Sequence, residues 1–115
     1  KNNRIKDYPN DATRGGAIYV VKGTLNMNGG SVEANQATYG GGIYLYKSTM
    51  NFTGGIVKDN ESKLVTDRSV SPTQYYSAGG GILADEGATI NMSGTAEVRN
   101  NSAKEIGGGI SLGSN

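Results

Sequence analysis

No cysteine and no histidine occur in this chain. Without cysteine there are no disulfides, thiolate metal sites or thiol nucleophiles, although the compartment stays open because many bacterial surface proteins also lack it. Without histidine, Ser-His-Asp and Cys-His constellations are excluded, together with the usual zinc and iron ligand sets. Only carboxylate, lysine, arginine or tyrosine chemistry remains, so neither a metal nor a cofactor is expected and the chain reads as non-enzymatic. Tryptophan is absent, phenylalanine occurs once and proline twice, which points away from a helical bundle. Charge of one sign is also missing. Eleven basic residues face ten acidic ones with no Lys/Arg cluster, so no footprint for nucleic acid or an anionic membrane is visible. The longest apolar run, Ala17 to Val21, is far too short to span a bilayer, and Lys1-Asn2-Asn3-Arg4 does not open a signal peptide. No direct membrane insertion is expected.

Glycine is what the chain has in abundance, 19 of 115 residues. Four times a glycine cluster runs into an isoleucine: Gly15-Gly16-Ala17-Ile18, Gly40-Gly41-Gly42-Ile43, Gly79-Gly80-Gly81-Ile82 and Gly107-Gly108-Gly109-Ile110. A second block follows as Thr24-Leu25-Asn26-Met27, Thr49-Met50-Asn51-Phe52 and Thr89-Ile90-Asn91-Met92. The third reads Val32-Glu33-Ala34-Asn35, Val57-Lys58-Asp59-Asn60 and Val98-Arg99-Asn100-Asn101. Such a repeat predicts a solenoid. Ile18 to Ile43 is 25 residues, enough for three short strands and three turns, so the expected fold is all-β: a right-handed parallel β-helix of about four coils with three strands per coil.

Alternation within each block assigns the faces. The predicted interior columns are Ile18/Ile43/Ile82/Ile110, Val20/Leu45/Ala84/Leu112, Leu25/Met50/Ile90, Met27/Phe52/Met92 and Val32/Val57/Val98, every member apolar. A slip of one residue would send Thr and Asn inward, so the register is well determined. Ile82 to Ile110 is 28 residues, with single extra residues placed near Gly87, Glu97 and Lys104. Ile43 to Ile82 is 39 residues, and the excess predicts a protruding loop over 61–78. Another enlarged loop, Arg4 to Arg14, precedes Gly15. The whole of 1–115 reads as one β-helix segment, a fragment of a longer solenoid because neither end shows a cap.

The motifs favour structural roles. The glycine clusters lead into strands, not helices, so they are turns and not phosphate loops. Asn35, Asn60 and Asn101 suit tight turns and stacked amide ladders. The outward Thr24/Asn26, Thr49/Asn51 and Thr89/Asn91 array has the flatness of an ice-binding surface, but asparagine at every second site counts against one. Glu33, Lys58 and Arg99 share a column with no recurring carboxylate pair for calcium or for acid and base roles; a solvated Glu33-Lys58 pair is the simpler reading. Tyr19, Tyr44 and Tyr46 are expected to face outward, and Tyr75-Tyr76 to lie in the long loop with Lys63, Asp67 and Arg68. These eight residues are the candidate binding residues.

The Gly-Gly-Ala-Ile at 15–18 and the hydrophobic-x-x-Asn motifs at 32–35, 57–60 and 98–101 resemble the Gly-Gly-Ala-Ile and Phe-x-x-Asn repeats of chlamydial polymorphic outer membrane proteins. They are also similar to adhesin-like repeat regions in large surface proteins of gut bacteria. Valine stands where that first family has phenylalanine. The resemblance implies an extracellular, autotransporter-like passenger or stalk on a bacterial cell surface, binding a host protein such as immunoglobulin or extracellular matrix, or a glycan. Two alternatives remain: a fragment of a carbohydrate-active β-helix enzyme, polysaccharide lyase or hydrolase, and a pure structural stalk.

Overall fold

The computed structural model describes residues 14–63, 79–103 and 107–113. Among them the fold is all-β, in three parallel sheets. The first sheet, in spatial order, contains β1 (Ile18–Val21), β4 (Ile43–Tyr46), β7 (Ile82–Asp85) and β11 (Ile110–Leu112). The second joins β2 (Thr24–Glu33), β5 (Thr49–Lys58) and β8 (Thr89–Met92), with β9 (Glu97–Arg99) also paired to β5. A third joins the two-residue strands β3 (Gln36–Ala37), β6 (Glu61–Ser62) and β10 (Ser102–Ala103).

All five predicted columns appear in the register. Ile43 pairs with Ile18 and Ile82, Leu45 with Val20 and Ala84, and Ile110 and Leu112 extend the same rows. Met50 pairs with Leu25 and Ile90, Phe52 with Met27 and Met92, and Val57 with Val32 and Val98. Apart from Met92, Ile110 and Leu112, which are exposed, these side chains form one core in which Ile43, Leu45, Met50, Phe52, Val57 and Ile82 are fully buried. Burial fades toward the last repeat, where Met92 is 46% and Leu112 75% exposed.

The strand plan departs from the expectation in two ways. The second and third sequence blocks merge into single ten-residue strands, β2 and β5. Asn28-Gly29-Gly30 and Thr53-Gly54-Gly55, which stand between the two blocks, are absorbed as register shifts within the ladder. The third sheet instead falls just after the recurring asparagine of each repeat, Asn35, Asn60 and Asn101. Glu61 and Ser62 therefore belong to β6 and pair with Gln36 and Ala37, where the sequence placed the beginning of the long loop.

Asn35 and Asn60 are buried and form the expected amide ladder. Asn35 Nδ2 donates to Asn60 Oδ1 at 2.9 Å, and Asn60 Nδ2 donates to Asn101 Oδ1 at 3.0 Å. The same oxygens accept backbone bonds from Asn35 N and Asn60 N. Spare protons go to carbonyls of the preceding repeat, from Asn60 Nδ2 to Val32 and from Asn101 Nδ2 to Val57, both 2.9 Å. Buried amides are thereby satisfied, as an interior of this polarity requires.

The glycine clusters close the gap between the first and third sheets. Gly40 has φ +62°, the left-handed region that glycine enters without steric conflict. At Gly41 the reason is space: a Cβ there would overlap Glu61 O and approach Gly80 O at 2.5 Å. Backbone passes too close for any side chain.

Candidate binding surface

Alternation puts Ile43 and Leu45 in the core and turns Tyr44 and Tyr46 to the opposite face of the first sheet. Parallel register then assembles two rows on that face. One runs Tyr19, Tyr44, Leu83, Ser111, and the other Val21, Tyr46, Asp85. An isolated parallel bridge between Arg14 and Tyr39 brings two further side chains alongside.

Tyr44 is the centre of this patch and is not exposed as expected. It retains 3% of its surface, and Leu83 beside it is also buried. The sequence reading used alternation alone, which decides the face but not what else covers it. Tyr19 meets the Tyr44 ring edge to face at 5.0 Å and 83°, while Tyr39 lies tilted at 6.4 Å. The Arg14 guanidinium sits 5.6 Å from the Tyr39 ring centre and 5.9 Å from that of Tyr44, within cation-π range. Tyr44 Oη donates to Asp85 Oδ2 at 2.8 Å, and Glu86 N donates to the other carboxylate oxygen at 3.0 Å. Burial pushes the Tyr44 hydroxyl well above its ordinary ionisation range, the hydrogen bond to Asp85 and its negative charge push the same way, and Arg14 opposes them. Tyr44 is thus a neutral, anchored base for the patch.

The accessible part lies at its margin. Tyr19 is 50% and Val21 51% exposed, and Tyr46 is half-buried with Lys47 Nζ 5.3 Å from its ring centre. Lys22 and Lys47 border it in stacked turns, each with a left-handed backbone: Lys22 N donates to Tyr46 O and Lys47 N to Asp85 O. Arg14, Tyr39 and Asp85 were missed by sequence reasoning. Asp85 stands two residues beyond Leu83 in the adjacent strand, a diagonal neighbour that register arithmetic can find.

Lys63 lies away from these rows, directly after β6 in the third sheet. Its backbone N donates to Ala37 O at 3.0 Å, and its Nζ is 3.7 Å from Glu61 Oε2. Asp67, Arg68, Tyr75 and Tyr76 lie outside the described residues, as does most of the 61–78 segment. Compared with protein-family models, curated proteins and solved structures, the chain matches none.

Two other surfaces were singled out by the sequence. Glu33, Lys58 and Arg99 do share a column, and Lys58 Nζ stands 3.7 Å from Glu33 Oε2 and 3.9 Å from Asp59 Oδ2. Partly exposed pairs of this kind contribute little. Asn26, Asn51 and Asn91 form a second, outer amide ladder, Asn51 Nδ2 donating to Asn26 Oδ1 at 2.9 Å and Asn91 Nδ2 to Asn51 Oδ1 at 3.0 Å. Its amides are spent largely on each other.

Proposed function

We propose that the chain is a non-catalytic, adhesin-like segment displayed on a bacterial cell surface, binding a host protein or glycan through the tyrosine-bearing face of the first sheet. The scaffold in this reading is one right-handed parallel β-helix. Each repeat passes through the first, second and third sheets in the same order with every pairing parallel, and parallel crossovers are right-handed in about 98% of cases. The three sheets would then be the three faces of a single coil stack.

The observation that carries the binding assignment is the half-exposed Tyr19 held edge to face on a buried, hydrogen-bonded Tyr44. An aromatic fixed before a partner arrives loses little conformational freedom on contact, which is what makes tyrosine an effective anchor. Lys22 and Lys47 at the rim add polar reach and favour partners with negative charge.

The test is binding of the immobilised chain to purified immunoglobulin, extracellular-matrix proteins and a glycan array, with Tyr19→Ala beside the unaltered protein. An anchor of this type is worth about 2 kcal/mol or roughly thirty-fold in dissociation constant. Binding that Tyr19→Ala leaves unchanged, or no binding to any member of the panel, refutes the assignment. A third variant, with residues 64–78 replaced by a short Gly-Ser link, separates a contribution of that segment from that of the tyrosine face.

A further inference from the structure

Asn28 is followed by Gly29 and Gly30, and all three are exposed. An asparagine followed by glycine is the dipeptide in which the next backbone nitrogen most readily reaches the side-chain amide, because no Cβ obstructs the approach. The local structure strengthens that liability. Asn28 pairs with Gly54, the register then shifts, and pairing resumes only at Ser31, leaving Gly29 and Gly30 without a partner position on β5. Space around both glycines is open on the side where a Cβ would stand. Thr53 Oγ1 donates to Asn28 Oδ1 at 2.7 Å, which polarises the amide carbonyl and leaves Nδ2 as the group facing away from that bond.

We infer that Asn28 is a site of spontaneous deamidation, an irreversible chemical modification that marks the age of the folded protein. The Gly29 backbone nitrogen gives up its proton and attacks Asn28 Cγ; a C–N bond forms, the Cγ–Nδ2 bond breaks and ammonia leaves with that proton. The resulting succinimide takes up water at either imide carbonyl, giving aspartate or isoaspartate. Water is consumed, ammonia is released and no redox partner is involved.

The same chain contains the control. Asn101 precedes Ser102, another small residue, but Asn101 Nδ2 is held by Val57 O and its Oδ1 by Asn60. The would-be nucleophile, Ser102 N, donates to Asn60 O at 2.9 Å. Asn60 is protected in the same way, with Glu61 N donating to Asn35 O. The ladder therefore shields its own asparagines while Asn28 stands outside it. Conversion to isoaspartate also has a mechanical consequence. Asn28 O lies against Gly54, so closely that a Cβ on Gly54 would come within 2.5 Å of it, and an inserted backbone methylene cannot keep that stacking.

Ageing the purified full chain in mildly alkaline buffer, followed by peptide mapping for the amide-to-acid mass change, tests this. The expected result is a doublet of aspartate and isoaspartate peptides at Asn28 before any change at Asn101, and a lower denaturation midpoint in the aged isoaspartate fraction. Gly29→Ala, accommodated in open space at an ordinary φ, should slow conversion by tenfold or more without altering the unaged midpoint. Asn28 remaining intact over an interval in which the urea-unfolded chain converts it would overturn the inference. So would conversion at Asn101 as fast as at Asn28.

Discussion

Phe52→Ala is the sharpest test of the core. Phe52 is the only phenylalanine, is fully buried, and lies in register between Met27 and Met92. Truncating a buried phenylalanine costs about 3 to 5 kcal/mol through lost transfer energy and the cavity left behind. Its neighbours set the place within that range. Methionine is flexible enough to fill gaps, and Met92 is 46% exposed, so the last repeat can relax partly into the space; the expected loss is about 3 to 4 kcal/mol. Urea denaturation followed by far-UV circular dichroism and tyrosine fluorescence reads this cleanly, since no tryptophan is present. With a slope of about 1 to 3 kcal/mol per molar, the midpoint should fall by about 1 M or more. Two companions calibrate it. Thr49→Ala, in the outward row, should change stability by less than about 0.5 kcal/mol, and Met92→Ala should cost clearly less than Phe52→Ala. A Phe52→Ala midpoint equal to that of the unaltered chain, or a Met92→Ala loss as large as the Phe52→Ala loss, would refute the column assignment.

Asn60→Ala should cost about 3 kcal/mol, because it removes the acceptor of Asn35 N and Asn35 Nδ2 and the donor to Val32 O in a buried setting, whereas Asn51→Ala on the outer ladder should stay within about 0.5 kcal/mol; equal midpoints for the two variants would contradict the burial difference. Ser62, buried in register between Ala37 and Ala103 with no hydrogen-bond partner for its hydroxyl among the described residues, should give a Ser62→Ala variant about 1 kcal/mol more stable, and a loss in thermal or urea unfolding would show that the hydroxyl is satisfied. Tyr44 supplies a pH signature. Its folded ionisation lies above the ordinary value of 10.0, so its contribution is complete below that value and declines as pH rises through and beyond it, when the unfolded tyrosine releases its proton and the folded one does not. Melting temperature followed upward from pH 8 should drop more steeply for the unaltered chain than for Tyr44→Phe; parallel curves would contradict the burial of the hydroxyl.

The apolar columns were legible because the same blocks recur in each repeat, 25 residues apart between Ile18 and Ile43 and further apart only where turns or the 61–78 segment are longer, and because alternation along each strand turns a slip of one residue into a threonine or asparagine in the core. The inner asparagines were legible too, since an amide recurring at one point of each repeat has few uses other than stacking. β3, β6 and β10 were not. A two-residue strand such as Gln36–Ala37 contains no alternation to detect, and its existence depends on Gly41 and its counterparts allowing backbone to approach. β2 and β5 each span two recurring blocks that read as separate strands from the repeat alone; Asn28-Gly29-Gly30 between them carries the composition of a turn, and pairing across neighbours overrides that local preference. The tyrosine patch was half legible: alternation gave the face of Tyr19, Tyr44 and Tyr46, but the burial of Tyr44 depends on Arg14, Tyr39 and Leu83, which converge from different strands and from outside them.

The two asparagine ladders use the same bond and do different work. The apolar columns exclude a slip of one residue but not a slip of two, since Ile, Leu, Val and Met replace one another along them and a repeat mispaired by two positions would still bury hydrocarbon. The buried ladder removes that tolerance. An Asn60 offset from Asn35 and Asn101 would leave amide protons and carbonyl oxygens unpaired in the core, each at about 1 to 3 kcal/mol, so mispaired stacks of similar apolar content become unfavourable. The outer ladder of Asn26, Asn51 and Asn91 sits in water, where a broken amide bond is replaced at once and little energy separates paired from unpaired. It therefore cannot enforce register, and selection on that face is free to act through contact or chemistry. Asn28, next along β2 and bonded only to Thr53 among the described side chains, is where that freedom reaches its chemical limit: a position open to solvent, unprotected by the core ladder, and adjacent to the glycine that lets its own backbone react with it.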